Sequence, residues 1–497
     1  MDSQISSDTT KKHVMVELGQ KHDAGEGTVH DLGYSQHYRR VFKTIGNVAL
    51  VFAMASPLSG YMITTYYQIS YGGYWGLTWG WILPVVLFFP QALAIAELSS
   101  SMPINGAFYW WTAALAPRHL SRPFSYMLGW FTMLTYMTSL ASFAYATGSG
   151  YAVLASFLTA DWHPSNAQIM GIAVGFIMLW VSMQFLGMER LNLAFMFLGL
   201  PVAHAKQSKP FAAGSDVFAS YDNFSEWPVG VAVPFTWFCA AWTVTGWPSP
   251  AFIAEETVNP AKNTPRSIII AYCSTAGLGV AAAVDPTGFP VYTVLLENWG
   301  TKLGTAFLMT SLGTVALGGS SFLFTSSSAL AAFARDGGLP ASHIFEQIDD
   351  RTNLPLAACG LLSCGSFLIL LFSLSSQAGN IIYSLAVIAI FGMYAVPMVL
   401  RITAGSRFMP GPFNLGKWSL PTHSFAVLTI IYMIIMEAFP STPNWTPSTF
   451  NYNWVVALGV YGLCAVMWLV SGRKTYKGPD LAALDARIEM YRLQDTL

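Results

Sequence analysis

Gly246, Trp247, Pro248, Ser249 and Pro250 stand in the middle of a stretch, Val231 to Arg266, whose first two dozen residues are apolar enough to cross a bilayer. A glycine and two prolines there interrupt the helical ladder, because proline lacks an N–H and its ring strikes the preceding turn. Lipid offers no partner to the freed N–H and C=O groups, so such a break must line a cavity or be covered by protein. A second break, Ala55-Ser56-Pro57-Leu58-Ser59-Gly60, interrupts an earlier apolar run, NVALVFAMASPLSGYMITTYY. The N-termini of interrupted helices present free N–H groups and a partial positive charge suited to a carboxylate. Their C-termini and freed carbonyls suit an ammonium. The plainer alternative is that both breaks are kinks, which membrane helices tolerate.

Other chemistry is sparse. The broken stretch holds Trp237, Phe238, Trp242 and Trp247, and indole faces attract ammonium groups, although aromatic residues at this density more often pack. Glu97 and Glu255–Glu256 fall at helix ends and Glu437 near the far end of another span, while His423 only opens its span, so no relay of buried carboxylates and histidines is evident. Arg335 and Asp336 lie in a loop, where with Glu97, Glu255 and Glu256 they form a candidate cytoplasmic gate; ordinary solvated loop charge is the alternative. Ser326, Ser327 and Ser328 offer hydroxyls for a ligand or, more commonly, for their own helix. The five cysteines sit in apolar runs without metal-ligand spacing and read as buried hydrophobes. No HExxH or Ser/His constellation marks an enzyme, and no metal or cofactor is expected.

These groups need a scaffold, and the composition supplies its class. Of 497 residues, 54% are hydrophobic and 10% charged, with mean hydropathy +0.47, whereas a soluble domain carries about a quarter charged residues. The chain is a membrane protein whose net charge of -1 gives no footprint for nucleic acid. Twelve spans are expected near 45–66, 76–96, 124–147, 167–187, 191–205, 230–254, 267–284, 304–331, 355–375, 380–402, 422–440 and 453–471, each weighed against the roughly 20 residues a bilayer needs. With both termini inside, 21 of the 24 basic residues fall on the cytoplasmic side, leaving Lys206, Lys209 and Lys302 outside. The sequons at Asn223 and Asn444 then lie outside, where glycosylation is possible. Residues 1–43 read as a disordered cytoplasmic tail, 44–472 as the transmembrane domain and 473–497 as a C-terminal cytoplasmic tail. The fifth span, Leu191 to Ala205, and the seventh, Ser267 to Val284, are short.

Five spans separate the two breaks. Interrupted helices at matching positions of two five-span halves point to inverted repeats around a midplane site. The stretches AELSSSMPINGAFYWW at 96–111, TGWPSPAFIAEETVNPAKNTPRSI at 245–268 and SSALAAFARDGGLP at 327–340 resemble the amino acid/polyamine/organocation permeases, in particular the fungal amino acid, γ-aminobutyrate and choline permeases. The resemblance covers about 40 to 480. It implies an all-helical transporter of five plus five inverted repeats with two further C-terminal helices. It also implies proton-driven import of a small amino acid or amine, with choline or a polyamine as the alternative substrate, across the plasma membrane or the vacuolar membrane. Substrate would sit between Ser56, Pro57, Ser59 and Gly60 of the first break and Thr245, Gly246, Trp247, Pro248 and Ser249 of the second, with Tyr136 and Ser326 completing the pocket. The chain departs from many relatives in having Ser-Pro-Leu-Ser-Gly in the first break and Pro248 in place of an acidic residue. The short fifth and seventh spans keep open a transport-inactive nutrient sensor.

Overall fold

The computed structural model describes Leu32, Tyr34 and residues 38–159, 162–187, 218–244, 246–283, 291–374, 378–440, 442–447 and 450–495; the fifth predicted span and Thr245 lie outside these. Apart from one isolated parallel bridge between Phe42 and Thr257, the described residues contain no strand. Seven helices among them are long and apolar enough to cross a membrane, and the segments 44–55 and 229–243 are shorter apolar helices. The architecture is polytopic and helical.

The first span breaks at one residue. Helix α1 (Thr44–Ala55) ends, Ser56 takes the left-handed conformation at φ 38°, and α2 (Pro57–Ser101) begins on a proline. Proline is well placed there, since the first N–H of a helix has no intrahelical partner. The cost of a left-handed serine, about 1–3 kcal/mol, is offset locally: its N–H reaches the Phe52 carbonyl at 2.9 Å and its hydroxyl the Ala53 carbonyl at 2.7 Å. Within α2 the first and second predicted spans meet at Gly73, where φ is 54°. A side chain there would be strained and would also strike Asp222, with Cβ 2.9 Å from its Cβ.

The connection after α2 is not an open loop. Ala107–Leu115 forms α3, all of it buried, so the aromatic run Phe108 to Trp111 is packing material at the mouth of the bundle. Helices α4 (Arg118–Leu158) and α5 (Asn166–Gln184) follow, and Ser165 and Gln168 form a reciprocal capping box that starts α5. The sixth span is in three pieces, α6 (Val229–Thr236), α7 (Phe238–Thr243) and α8 (Ser249–Phe252), with a turn through Gly246, Trp247 and Pro248 between the last two. Helix α9 (Pro260–Ala283) has 24 residues, about 36 Å at 1.5 Å each, and so extends beyond the apolar part that begins after Arg266. Its first turns carry Lys262, Asn263 and Arg266, which hid them from a hydropathy count. Helices α10 (Val291–Arg335), α11 (Leu356–Leu370), α12 (Ala378–Ala404), α13 (Ser419–Glu437) and α14 (Asn453–Met467) complete the spans.

Packing places the breaks at the centre. Helix α9 lies along α2, α10 packs on α1 and α4, and α12 packs on α4 and α13. Both segments read as tails contribute to the bundle: Leu32, Tyr38 and Phe42 are buried, and so are Tyr476 and, on α15 (Ala482–Asp495), Leu484 and Ile488. The physical reason is apolar spacing too sparse for a span but sufficient to cover the bundle's end. Arg118 pairs with Asp485, and the Ser125 and Tyr476 hydroxyls are 3.1 Å apart, tying the C-terminal segment to the start of α4.

Candidate substrate site and gate

The two breaks face each other. A Cβ on Gly246 would lie 2.8 Å from Met54 Sδ, and the Ser249 hydroxyl sits 3.0 Å from the same sulfur while donating to the Gly246 carbonyl at 2.7 Å. On the far side of α1, a Cβ on Gly318 of α10 would lie 2.7 Å from the Ala53 carbonyl oxygen and 3.0 Å from that of Met54. Gly60, one turn into α2, touches Thr243 of α7 in the same way. Glycines on α2, on α10 and in the turn before α8 therefore allow close approach around Ser56, that of Gly318 being backbone to backbone. Ser56 consumes the Phe52 and Ala53 carbonyls, leaving those of Met54 and Ala55 outside the ladder of α1. Across the serine, the N–H groups at the start of α2 lie at the positive end of its dipole. One short region thus offers acceptors for an ammonium beside donors for a carboxylate.

Aromatic rings pack on the helices that carry the two breaks. Tyr136 of α4 meets Phe252 of α8 edge-on at 5.4 Å and Phe322 of α10 at 6.1 Å. Trp242 donates its indole N–H to the Ser142 hydroxyl at 2.8 Å and packs on Tyr383 at 5.5 Å and Phe143 at 5.8 Å. Trp247 is buried between Tyr272 and Tyr394, at 5.9 and 5.5 Å.

At the end that the charge asymmetry assigns to the cytoplasm, α10 and the segment after α8 lock together. Arg335 grips Glu255 in a two-pronged pair, both N···O distances 3.0 Å, with Glu255 wholly buried. Asn105 completes the lock: its side-chain oxygen accepts the Glu255 N–H at 2.8 Å and its amide donates to Glu256 at 2.8 Å. Tyr34 lies flat under the Arg335 guanidinium, 4.2 Å from ring centroid to carbon, and its hydroxyl donates to Asp336, as does that of Tyr109 at 2.9 Å. Phe42 hydrogen-bonds the backbone of Glu256 and Val258. Burial pushes the Asp336 carboxyl up to about 6 against the pull of Arg335, and burial with the neighbouring Glu255 pushes Glu256 up to about 8. These charges do not face water as a loop reading expects.

Residues 42–460 match the family model described as amino acid permease. The chain belongs to that family. An uncharacterized amino-acid permease of Schizosaccharomyces pombe is 30% identical, covering 90% of this chain and 86% of its own. The GABA-specific permease of Saccharomyces cerevisiae is 28% identical over 90% of this chain and 84% of its own. A crystal structure of the Eremococcus coleocola manganese transporter aligns with TM-score 0.46 and 11% identity, covering 87% of this chain and 94% of that one.

In this amino acid permease the expected residues divide. Ser56, Gly60, Gly246 and Ser249 come together, Pro57 and Pro248 shape the helix starts beside them, and Ser59 takes a helical position in the first turn of α2. Tyr136 packs on Phe252, three residues after Ser249 in α8. The Ser326 hydroxyl bonds the Phe322 carbonyl of its own helix at 2.6 Å. Trp247 is covered by rings on α9 and α12. Glu97 stands apart from the Arg335 cluster, accepting hydrogen bonds from the Leu415 N–H at 2.9 Å and the Ser419 hydroxyl at 2.6 Å, with His423 Nε2 3.1 Å away. A buried carboxylate–histidine pair therefore exists after all, made by residues more than 300 positions apart. Of the sequons, Asn444 is exposed, whereas the Asn223 amide is committed to the Trp227 carbonyl at 2.7 Å. Met54, Asn105, Tyr34, Tyr109, Ser142 and Gly318 were not anticipated. The paired glycines 318 and 319 within a span were the one readable signal, since small residues mark close helix approach.

Proposed function

We propose that this permease is a secondary active importer of a small amino acid or amine, γ-aminobutyrate being the first choice, driven by protons at the plasma membrane with both termini in the cytoplasm. The observation that carries the reading is the meeting of the two broken spans at Met54, Ser56, Gly246 and Ser249. A zwitterion would place its carboxylate on the N–H groups that open α2 and its ammonium on the Met54 and Ala55 carbonyls. The lock of Arg335, Glu255 and Asp336 would close the cytoplasmic side while substrate is bound and part as α8 and α10 separate, exposing the site inward. The relative named for γ-aminobutyrate supports the substrate choice. A cation such as choline is the second reading, favoured by Trp242, Tyr383 and Phe143 above the break.

The test is uptake of radiolabelled amino acids, γ-aminobutyrate, choline and polyamines, at two external pH values, in cells lacking their own permeases. Saturable uptake of γ-aminobutyrate that rises at the lower pH is the expected result. Absence of uptake from protein present at the surface would contradict transport and favour a sensor.

A further inference from the structure

Carboxyl groups are scarce in the spans, and the described ones are nearly all answered. Glu97 has Leu415, Ser419 and His423; Glu255 has Arg335; Glu256 has Asn105 on one oxygen and an unpartnered Oε1, but it stands next to the Glu255–Arg335 pair at the cytoplasmic end. Glu437 differs. It ends α13 at the predicted outer side, 2% exposed, and no basic side chain pairs with it among the described residues. The Ser384 hydroxyl of α12 donates to the carboxyl, whose Oε1 has no hydrogen-bond partner.

The helices packed around α13 bring no cation to this level. From α2 come Tyr67, close enough to interact electrostatically with Glu437, and Tyr71; from α12 come Tyr383 and Ser384; α6, with the sequence VGVAVPFT, brings no titratable group. Asn451 donates to the Glu437 backbone carbonyl at 2.7 Å, and Glu226 in the outer loop contacts Asn444 instead. Arg401, His423 and Glu97 belong to the opposite end; His423 alone is fourteen residues away on α13, about 21 Å.

A membrane-buried carboxyl without a cation must have its charge met by something that arrives. The surrounding rings are already packed, Tyr67 on Phe238 at 4.6 Å and Tyr71 on Phe235 at 4.7 Å. A proton enters without displacing them, whereas an organic ammonium does not. The position also reaches the break: Tyr67 lies on the half-helix that starts at Pro57, and Tyr383, next to Ser384, packs on Trp242 just before Gly246.

We propose that Glu437 is the carboxyl at which a proton from the outer side binds to drive transport, an inference that rests on the proton-driven reading above. Binding there removes a buried charge between α2, α12 and α13, and so favours closure of their outer ends over loaded substrate.

The test uses purified permease in liposomes with γ-aminobutyrate as the probe. Under an inward proton gradient the wild type accumulates it above equilibrium. Glu437→Gln is expected to keep counterflow exchange within about threefold while losing accumulation, and Glu437→Asp to restore it. Accumulation by Glu437→Gln equal to wild type would overturn the site alone. Wild-type protein that exchanges γ-aminobutyrate yet gains nothing from the gradient would overturn the proton-driven reading and the site with it. Should Glu437→Gln fail to exchange, Glu437→Asp decides: an altered pH profile of exchange supports the site, and one identical to wild type overturns it.

Discussion

Gly246→Val is expected to reduce substrate uptake by roughly fivefold to 150-fold, the range that overpacking by about 1–3 kcal/mol would produce. The valine methyls would project toward Met54, whose Sδ already lies 2.8 Å from where a Cβ would stand and also contacts the Ser249 hydroxyl. Both breaks would have to move apart to admit them. Gly246→Ala is a milder change, because the atom it meets belongs to a flexible thioether; uptake within about threefold of wild type is expected. Met54→Ala combined with Gly246→Val makes room and should recover part of the loss. Uptake per molecule at the cell surface is the measurement. Gly246→Val at wild-type rate would remove the site from the junction of the two spans.

Arg335→Met is expected to abolish uptake and to lower the melting temperature of the purified protein. Removing one partner of a buried pair leaves an uncompensated charge at a cost of about 3–5 kcal/mol, and here Glu255 is wholly buried with both oxygens committed to the guanidinium. The same substitution takes the cation from the face of Tyr34 and from beside Asp336. Joining Glu255→Leu to Arg335→Met replaces the pair by apolar side chains, which is often neutral for stability. The double variant should therefore regain thermal stability without regaining transport. Equal uptake by Arg335→Met and wild type would show that these side chains do not hold the gate.

The helical membrane class, both breaks and most spans were legible because they rest on quantities that sequence carries locally: apolar length, and proline or glycine inside it. The first break fell inside the stretch Ala55 to Gly60 that the sequence marks, with Ser56 as the residue that leaves the helical conformation and Pro57 as the first of the next helix. What escaped reading was made by distance. Glu97 and His423 look like unrelated span ends until α2 and α13 pack, and Asn105 is an ordinary loop residue until the turn between α2 and α3 packs on Glu255. Trp247 and Ser326 were chosen by type, and what sequence could not show is their packing: Trp247 against Tyr272 and Tyr394, and the Ser326 hydroxyl on the Phe322 carbonyl of its own helix. The helix of the seventh span starts earlier than hydropathy shows, because the backbone is already helical through the polar turn Pro260 to Arg266.

Substrate protection of a single cysteine at position 249 tests the central claim most directly. With the five native cysteines replaced, Ser249→Cys would be alkylated by a small hydrophilic thiol reagent, with and without saturating γ-aminobutyrate. Substrate bound between the two breaks predicts slower alkylation, with a concentration dependence matching that of uptake. A modification rate indifferent to a compound that the same protein transports would place the substrate elsewhere.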